Sequence, residues 1–422
     1  MSLQNSKPRT AMLHYSAPPV IGGVEGVIQA HCQVFRQFDY PVAVITGQGE
    51  PSALVEGTDL HQIPELDTQH PKVLEMNAVL ERGEIPDTFE PFTQQLTRTL
   101  GPILEQYDNL IVHNVFTKHF NLPLTAALFQ LIESGVIRNC IAWCHDFTWT
   151  SPNSRSKVYA GYPWDLLRTY DPRMRYVTVS RERRQSLAQL FHQPESVIKV
   201  IYNGVDPHTL LGFSSEGMAL IRRLGLLDAE LVLIMPVRVT TAKNIEYALE
   251  LLAALKVAGI HPKLILTGPP DPHSDQSMAY FRELQGRRHE LGLDQDMRFV
   301  FESGPQSDKP YQIDLNVVGD LYRISDVMFM PSHREGFGMP VLEAGLVGIP
   351  AICTPAVPAA VEIGAEQVTI FDPGMEPARL AGQLIDWMQT DPQYRFRRRV
   401  RRQYTWEAIF KREILPLLQG TP

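Results

Sequence analysis

The sequence predicts an α/β protein built from two doubly wound parallel-sheet domains, and three observations support this prediction. The chain has 422 residues, which is long for a single domain. Short apolar runs typical of buried strands alternate with segments of helix length, an order that favours parallel sheets covered by helices. These runs form two series separated by a turn-rich segment. We expect the two sheets to face each other across a cleft, where one ligand can contact both.

The two series of predicted strands lie on either side of residues 203–207, whose Asn-Gly and Asp-Pro pairs are typical of turns. The first series covers residues 11–15, 41–46, 110–114, 141–145, 176–180 and 197–202. The second covers residues 231–237, 263–268, 297–301, 327–331, 351–354 and 368–371. We therefore place an N-terminal Rossmann-like domain at residues 1–205 and a C-terminal Rossmann-like domain at residues 206–390.

The last segment, residues 391–422, has a helical pattern and forms a tail in this prediction. Its apolar residues can form one face that returns to the N-terminal domain, and they are Trp406, Ile409, Phe410, Ile414, Leu417 and Leu418.

Composition limits the class of protein. A hydrophobic content of 44% with 20% charged residues is ordinary for a globular protein. The net charge of −8 argues against general nucleic-acid binding, which needs a positive surface. No apolar run approaches the roughly 20 residues that span a bilayer, and residues 1–8 precede no signal core, so we expect a cytoplasmic protein. The four cysteines form neither a disulfide framework nor a metal-site pair, which favours reduced thiols.

Six arginines crowd into residues 395–402, against the acidic balance of the chain. The residues are Arg395, Arg397, Arg398, Arg399, Arg401 and Arg402. One interpretation is a solvated helix, around which helical spacing spreads the charges. The other is a weak peripheral contact with anionic lipid headgroups. The sequence leaves both open.

The segment from Glu335 to Glu343 is the most informative in the chain. It reads Glu-Gly-Phe-Gly-Met-Pro-Val-Leu-Glu, and proline fits the start of a helix, so we expect a helix from about Pro340. Glycines before a helix N-terminus expose backbone N–H groups to phosphate. The flanking carboxylates would then contact the sugar hydroxyls at either end of a diphosphate, which indicates a nucleotide-sugar. The alternative is an ordinary turn with Glu343 stabilising the first helical turn.

With these features, the chain resembles the retaining family 4 glycosyltransferases of GT-B fold, which use nucleotide-sugars. The most specific element is the E-x7-E signature, filled by Glu335 and Glu343. The resemblance implies that Glu335 faces the donor sugar and that Glu343 holds the ribose hydroxyls. It also implies that the diphosphate binds the backbone of a four-residue loop, which consists of Gly336, Phe337, Gly338 and Met339.

A second family element is an arginine and a lysine five positions apart, here Arg238 and Lys243. Two fixed cations stabilise the charge that builds on a leaving diphosphate. Family members usually carry glycine before this arginine, and Val237 departs from that pattern. Without the resemblance, both residues would be interpreted as ordinary surface charges.

Two elements of the N-terminal half also match the family. Gly22 and Gly23 correspond to its glycine pair after the first strand, which lets backbone approach the donor phosphates. His145 follows a predicted strand and corresponds to a histidine that contacts the donor sugar. A satisfied core histidine is the competing interpretation.

The resemblance implies substitution on one face of the sugar, in which the leaving phosphate accepts the proton of the acceptor hydroxyl. Double displacement would need a carboxylate nucleophile, and nothing in the sequence identifies one. We expect no divalent metal and no other cofactor. Asp294 and Asp296 form an Asp-x-Asp of the kind that binds manganese elsewhere, but their position indicates a turn.

The N-terminal domain is expected to bind a small-molecule or glycoside acceptor, and the C-terminal domain the donor. Candidate acceptor contacts are Asn114, Trp149, Tyr162 and Arg181, although the two aromatic residues can equally be packed under a loop and the arginine can begin a solvated helix. GDP-mannose and UDP-glucose are the leading donors. Residues 143–149 and 268–273 resemble the subgroup that makes mannosylglucosylglycerate or sucrose phosphate.

Three other functions stay open at this point. A GT-B nucleotide-sugar epimerase would act on the donor without an acceptor, whereas α-glucan phosphorylases are much longer and need a pyridoxal lysine. A two-lobed solute-binding protein would bind without catalysis and would normally need export. A pseudoenzyme that only scaffolds partners is disfavoured by the intact set of Glu335, Glu343, Arg238 and Lys243.

Overall fold

The computed structural model of the protein describes residues 7–271, 273–306 and 309–419. These residues form two compact units. Unit 1 consists of residues 7–205 together with 406–419, and unit 2 consists of the described part of residues 206–405.

Unit 1 contains a seven-stranded parallel sheet with the strand order β3-β2-β1-β4-β5-β6-β7. The strands are β1 (Thr10–Ser16), β2 (Val42–Gln48), β3 (Asp59–Gln62), β4 (Asn109–His113), β5 (Cys140–Cys144), β6 (Met174–Thr178) and β7 (Ile198–Val200). Strand β3 was not predicted, because it reads Asp-Leu-His-Gln and occupies a sheet edge, where an apolar run is not required.

The helices of unit 1 cover the sheet with their apolar faces. They are α1 (Gly23–Gln37), α2 (Pro71–Leu80), α3 (Phe89–Leu104), α4 (Leu122–Glu133) and α5 (Arg181–Phe191). Helix α4 has nine buried residues among its twelve, and Asn121 caps it by accepting a hydrogen bond from the Leu124 backbone N–H.

Unit 2 contains a six-stranded parallel sheet with the order β10-β9-β8-β11-β12-β13. The strands are β8 (Leu231–Met235), β9 (Pro262–Leu266), β10 (Met297–Phe299), β11 (Val327–Met330), β12 (Ala351–Cys353) and β13 (Thr369–Ile370). Both sheets are parallel and doubly wound, so the predicted fold class is confirmed.

The helices that follow in the chain are α6 (Pro207–Leu211), α7 (Ser215–Arg223), α8 (Ile245–Val257), α9 (Asp275–Glu290), α10 (Leu315–Ile324), α11 (Met339–Val347), α12 (Pro377–Thr390) and α13 (Pro392–Gln403). None of the helices in the described parts of the chain combines the length and the apolar character that crossing a bilayer requires.

The strand order reverses at one place in each sheet. In unit 1 it reverses between β1 and β4, and in unit 2 between β8 and β11. The chain leaves these neighbouring strands in opposite directions, which opens a crevice at their carboxyl ends where ligands of such sheets bind. The loops after these four strands are therefore candidates for ligand binding.

The end of the chain divides between the two units at residue 405, whereas the sequence placed the boundary at residue 390. The difference arises because α13 is fixed to unit 2 by Arg401, whose guanidinium makes a bidentate ion pair with Asp326 at 2.9 and 3.0 Å. Both side chains are buried. This buried ion pair keeps residues 391–405 with unit 2, and no pattern in the sequence predicts it.

The final residues pack on unit 1 as α14 (Trp406–Ile409), a π-helical turn (Phe410–Ile414) and α15 (Leu415–Leu418). The six apolar tail residues named from the sequence are all buried in one cluster with α1. The backbone N–H of Trp406 donates to the Val205 carbonyl at 3.1 Å. Gly204 is required here, because a Cβ atom would lie 2.9 Å from the Trp406 ring.

A histidine is buried in the same cluster. The His31 side chain of α1 is fully buried, and its ring lies edge-on to Trp143 and Trp406, with centroids 4.8 and 5.1 Å away. Neither ring nitrogen has a hydrogen-bond partner within the described residues. Burial, helped by the charge of His145, lowers the pKa of His31 to about 3. The folded protein therefore holds this side chain neutral, while the unfolded chain protonates it below pH 6.5.

Replacing His31 by leucine is expected to make the protein less sensitive to acid. The wild-type free energy of unfolding should fall as the pH drops below 6.5, because the unfolded state then binds a proton that the folded state rejects. For this one group the loss is about 2 kcal/mol at pH 5, so the variant should gain that amount relative to wild type between pH 8 and pH 5. Urea unfolding at the two pH values measures it.

The control for this prediction is His273→Leu, because His273 is exposed. It should leave the pH dependence unchanged. A His31→Leu effect of equal size at pH 8 and pH 5 would contradict the account of a neutral buried ring.

Candidate active site

Two loops of unit 2 meet at the point where its strand order reverses. One follows β8 and carries Arg238 and Lys243, and the other follows β11 and carries Glu335. The backbone N–H of His333 donates to the Ala242 carbonyl at 2.9 Å. Residues about ninety positions apart in sequence are thereby held side by side at the crevice.

Lys243 and Glu335 form an ion pair at this junction. The Lys243 Nζ atom lies 2.5 Å from Glu335 Oε1, and the two side chains are only 19% and 11% exposed. The Ser332 hydroxyl donates to the same carboxylate oxygen at 3.1 Å. The buried Thr354 hydroxyl in turn donates to the Ser332 carbonyl at 2.6 Å. The carboxylate therefore has a fixed position, which a preorganised catalytic group needs.

The glycine loop of residues 336–339 leads into α11, and Pro340 is the second residue of that helix, close to its predicted start. Gly338 has φ +99°, a left-handed conformation that disfavours side chains, and a Cβ atom there would lie 2.4 Å from Val357. The backbone N–H groups of all four loop residues have no acceptor within the described part of the chain. Phe337 and Met339 are exposed, so this helix N-terminus is open to an anion.

Glu343 lies one turn into α11, where the Tyr322 hydroxyl donates to its Oε2 atom at 2.6 Å. Tyr322 is almost fully buried, and burial together with the neighbouring carboxylate raises the pKa of its phenol far above the ordinary value. The phenol therefore stays protonated and acts as a donor. The bond fixes one oxygen of Glu343, and Oε1 has no partner among the described residues.

Arg238 is exposed, and its guanidinium makes no ion pair or hydrogen bond within the described residues. Its backbone is nevertheless held in place, since the Gly268 N–H donates to the Val237 carbonyl at 3.1 Å. A Cβ atom on Gly268 would come within 2.4 Å of that carbonyl, so only glycine allows this approach. The Val237 side chain is buried in the core of unit 2.

In unit 1, the glycine pair begins α1 at the corresponding crevice. A Cβ atom on Gly22 would lie 2.1 Å from a carboxylate oxygen of Glu25, whereas Gly23 has open space around it. Glu25 is buried in the first turn of α1, and its Oε1 accepts a hydrogen bond from the Ser16 hydroxyl at 2.5 Å. A protein carboxylate therefore already lies at this helix N-terminus, where the sequence predicted a phosphate.

His145 lies at the end of β5 in a network of buried histidines. Its Nε2 atom is 3.2 Å from His113 Nδ1, and His14 Nδ1 is 2.9 Å from the His113 carbonyl. The Asn114 side-chain oxygen accepts from the backbone N–H groups of His145 and Asp146 at 2.8 and 3.1 Å. Asn114, a predicted acceptor contact, is thus buried and holds the loop that carries His145.

The other predicted acceptor residues lie in different environments. Trp149 Nε1 donates to the Trp164 carbonyl at 3.2 Å, and the Arg168 guanidinium lies 4.0 Å from the Trp149 ring centroid, so this indole is packed. Tyr162 is 49% exposed. Arg181 begins α5, is exposed and has no ion pair within the described residues.

The Asp-x-Asp segment lies in a turn, and its carboxylates contact side chains from several elements. Asp294 lies 2.9 Å from His289 Nδ1 and 3.6 Å from Arg288 Nε. Asp296 lies 2.6 Å from Lys256 Nζ and 3.9 Å from Lys263 Nζ.

Sequence reasoning missed three residues that hold the site. Ser332 stands three positions before Glu335 at the end of a predicted strand, and that position was the available signal. Tyr322 and His113 contact residues 21 and 32 positions away, and no local pattern announces such contacts.

Two family models match the chain. The glycosyltransferase family 4 model matches residues 21–209, and the glycosyl transferases group 1 model matches residues 219–403. Among curated relatives, an uncharacterised glycosyltransferase of Methanocaldococcus jannaschii is 27% identical over 297 residues, which are 60% of this chain and 70% of that protein. A D-inositol 3-phosphate glycosyltransferase of Saccharomonospora viridis is 25% identical, and the match covers 65% of this chain and 60% of that protein.

Solved structures show weaker likeness. A glycosyltransferase from Rickettsia africae aligns over 99% of this chain and 100% of its own, with 14% identity and a TM-score of 0.37. Anabaena HepE in complex with UDP-glucose aligns over 98% of both chains, with 18% identity and a TM-score of 0.34. No conclusion about activity follows from likeness of this size.

The two family models together span most of residues 21–403, and the chain therefore belongs to the glycosyltransferases, with a family 4 domain followed by a group 1 domain.

Proposed function

We propose that this glycosyltransferase moves a hexose from a nucleotide-sugar to a hydroxyl of a small-molecule or glycoside acceptor, with retention of configuration. The ion pair between Lys243 and Glu335 beside the glycine loop is the observation that carries the proposal. It places a cation and a carboxylate next to a row of backbone N–H groups. The cation and the N–H groups are complementary to a diphosphate, and the carboxylate can accept hydrogen bonds from the hydroxyls of the attached sugar.

The leaving diphosphate would bind unit 2 through three kinds of positive group. The N–H groups of residues 336–339 and the N-terminus of α11 supply partial positive charge. Lys243 supplies a point charge, and the exposed guanidinium of Arg238 can contact two phosphate oxygens at once. Since negative charge grows on the diphosphate as its bond to the sugar breaks, these groups stabilise the transition state more than the ground state.

In the reaction, the bond between the anomeric carbon and the phosphate oxygen breaks while the acceptor oxygen bonds to the same face of the sugar. The proton of the acceptor hydroxyl moves to the departing phosphate oxygen, and a nucleoside diphosphate leaves. Glu335 would orient the donor sugar, and Glu343 would use its unpartnered Oε1 atom to accept from the ribose hydroxyls. This route needs no protein nucleophile.

We propose transfer without a divalent metal, because Arg238, Lys243 and the helix N-terminus supply the charge that a metal would otherwise provide. The carboxylates of Asp294 and Asp296 are already engaged by cationic side chains.

UDP-glucose and GDP-mannose are the proposed donors. The name of the D-inositol 3-phosphate glycosyltransferase to which the chain is similar supports a phosphorylated acceptor. Arg181 of unit 1 is the proposed contact for the phosphate of that acceptor.

His145 is proposed to donate a hydrogen bond to the donor sugar, and His113 sets which of its nitrogens donates. Burial and the neighbouring histidines His145, His31 and His14 lower the pKa of His113 well below its usual value, so its ring is neutral and carries one proton. Its Nε2 atom is buried without a partner in the described residues. A buried N–H without an acceptor is costly, which places the proton on Nδ1, facing His145 Nε2.

The consequence is that His145 Nε2 accepts and its Nδ1 carries the proton. Burial, together with the charge of His14, lowers the pKa of His145 to about 4, so this ring is also neutral near pH 7. The Nδ1–H group has no acceptor among the described residues and is available to a ligand.

The tautomer of His145 is directly measurable. Two-bond proton–nitrogen NMR at pH 7.5 is expected to show a protonated Nδ1 in the wild-type protein. His113→Leu removes the donor and should shift His145 toward the Nε2–H form, whereas His113→Asn keeps an N–H near the former Nδ1 position and should preserve the Nδ1–H form. A wild-type His145 protonated on Nε2 would contradict this assignment.

The activity itself is tested by removing either member of the ion pair. Glu335→Ala and Lys243→Ala should each lower the rate of transfer by at least about two orders of magnitude, the scale expected for a preorganised electrostatic group. The control is Lys256→Ala, which breaks an ion pair of 2.6 Å elsewhere in unit 2 and should leave the rate unchanged. Melting temperatures confirm that each variant folds.

Donor consumption should require an added acceptor, and a thermal-shift screen of nucleoside diphosphates and nucleotide-sugars identifies the donor first. Interconversion of donor sugars without an acceptor would instead favour an epimerase. Tight binding without any turnover would favour a solute-binding protein. Wild-type rates in both site variants would show that the site is misplaced.

A further inference from the structure

The arginine-rich helix α13 has no part in the proposed transfer. It packs near the amino ends of the unit 2 strands, because its contacts Glu230 and Asp326 immediately precede β8 and β11. The loops that carry Lys243 and Glu335 follow the carboxyl ends of the same two strands. Helix α13 and the candidate active site therefore lie at opposite edges of one sheet.

Two of the six arginines fix the helix to its unit. Arg401 is buried against Asp326 and also donates to the Ala229 carbonyl at 3.0 Å. Arg397 is largely buried and donates to the Arg323 carbonyl, and burial lowers the pKa of its guanidinium. These two side chains have a structural role and are not available to a ligand.

The other four arginines form a separate group. Arg395, Arg398, Arg399 and Arg402 are spaced i, i+3, i+4 and i+7, which places them on one face of the helix. With Gln403 they line a surface cavity of about 200 Å³. We call this group the arginine face.

The arginine face carries more positive charge than the protein neutralises. Glu230 contacts Arg398 and lies 3.1 Å from Arg402, and it is the carboxylate that reaches this face within the described residues. The side chains of Arg395 and Arg399 are exposed and make no ion pair or hydrogen bond within the described residues. One carboxylate therefore pairs with two of the four guanidinium groups and leaves the other two unpaired within the described residues, in a chain whose net charge is −8.

Such a cluster is unfavourable without an anion. Like charges three and four positions apart on a helix repel each other, and each such pair destabilises the helix by a few tenths of a kcal/mol. Guanidinium groups match the geometry of phosphate oxygens and bind them in pairs. A phosphoryl group in the cavity would contact Arg395 and Arg399 and relieve the repulsion along the whole face.

We propose that the arginine face of α13 is a second anion site, which binds a phosphoryl group independently of the donor site. The phosphoryl group can belong to a soluble phosphate compound or to the headgroup of an anionic lipid. Phe396, on the flank of the same helix, is 68% exposed and would contact a lipid surface beside the bound headgroup.

The test uses the full chain with Arg395→Gln and Arg399→Gln combined. Glutamine keeps a good helix former at both positions. Equilibrium dialysis measures inorganic phosphate, and cosedimentation measures vesicles of phosphatidylcholine with or without phosphatidylglycerol. We expect the double variant to bind at least one of these two probes at least about tenfold more weakly than wild type, because two charged hydrogen-bond donors are lost.

The matched control is Arg282→Gln with Arg379→Gln, which removes the same charge from exposed positions of α9 and α12. It should bind both probes like wild type. Lys243→Ala should weaken phosphate binding at the donor site and leave the arginine face unchanged. The phosphate binding that remains in this variant therefore measures the arginine face. Weaker phosphate binding specific to the α13 variant identifies a soluble ligand, and loss of anionic vesicle binding alone identifies a lipid.

Either result supports the site. Equal binding of both probes by the α13 variant, the control and wild type would overturn it. Equal losses in the α13 variant and the control would also overturn it, because they would reflect net charge rather than this face. The transfer rate of the α13 variant with a soluble acceptor should match wild type, so a failure here leaves the proposed function untouched.

Discussion

The ion pair between Lys243 and Glu335 is the interaction on which the rest of the site depends. It joins the loop after β8 to the loop after β11 at the reversal of strand order. Parallel sheets place the carboxyl ends of neighbouring strands together, so the fold supplies the proximity and the ion pair fixes the distance. Ser332 and Thr354 then fix the loop through two hydrogen bonds, which limits the freedom of the carboxylate.

The charge balance of the site supports the proposal that it binds a diphosphate. The carboxylate of Glu335 neutralises the charge of Lys243. The guanidinium of Arg238 and the backbone N–H groups of residues 336–339 have no acceptor within the described residues and can bind an anion. A diphosphate would compete for Lys243 and would release part of the Glu335 carboxylate toward the sugar. The same electrostatics that hold the unliganded loops together would therefore prepare them for the donor.

The sequence predicts much of the fold because twelve of the thirteen strands overlap the short apolar runs from which strands were predicted. Strand β3 escapes because a polar edge strand carries no such run. The division of the tail at residue 405 depends on the buried ion pair between Arg401 and Asp326. Arginine side chains are rarely fully buried, so the sequence gives no reason to expect this ion pair.

The candidate site could be predicted to a smaller extent. The spacing of Glu335, Glu343, Arg238 and Lys243 predicted a common site through the family resemblance, and the structure brings Lys243 and Glu335 into contact. The supporting residues could not be predicted, since Tyr322 and His113 act through contacts between different elements. Asn114 shows the limit of inference from residue type, because the sequence assigned this polar residue at a strand end to the acceptor and did not predict that its side chain holds backbone.

The most direct measurement is a crystal structure of the protein with a bound nucleoside diphosphate. We predict that the β-phosphate binds the N–H groups of the glycine loop, that Lys243 and Arg238 contact its oxygens, and that the ribose hydroxyls contact Glu343. A diphosphate bound elsewhere on the protein, with the Lys243–Glu335 pair undisturbed and the loop N–H groups unoccupied, would contradict it.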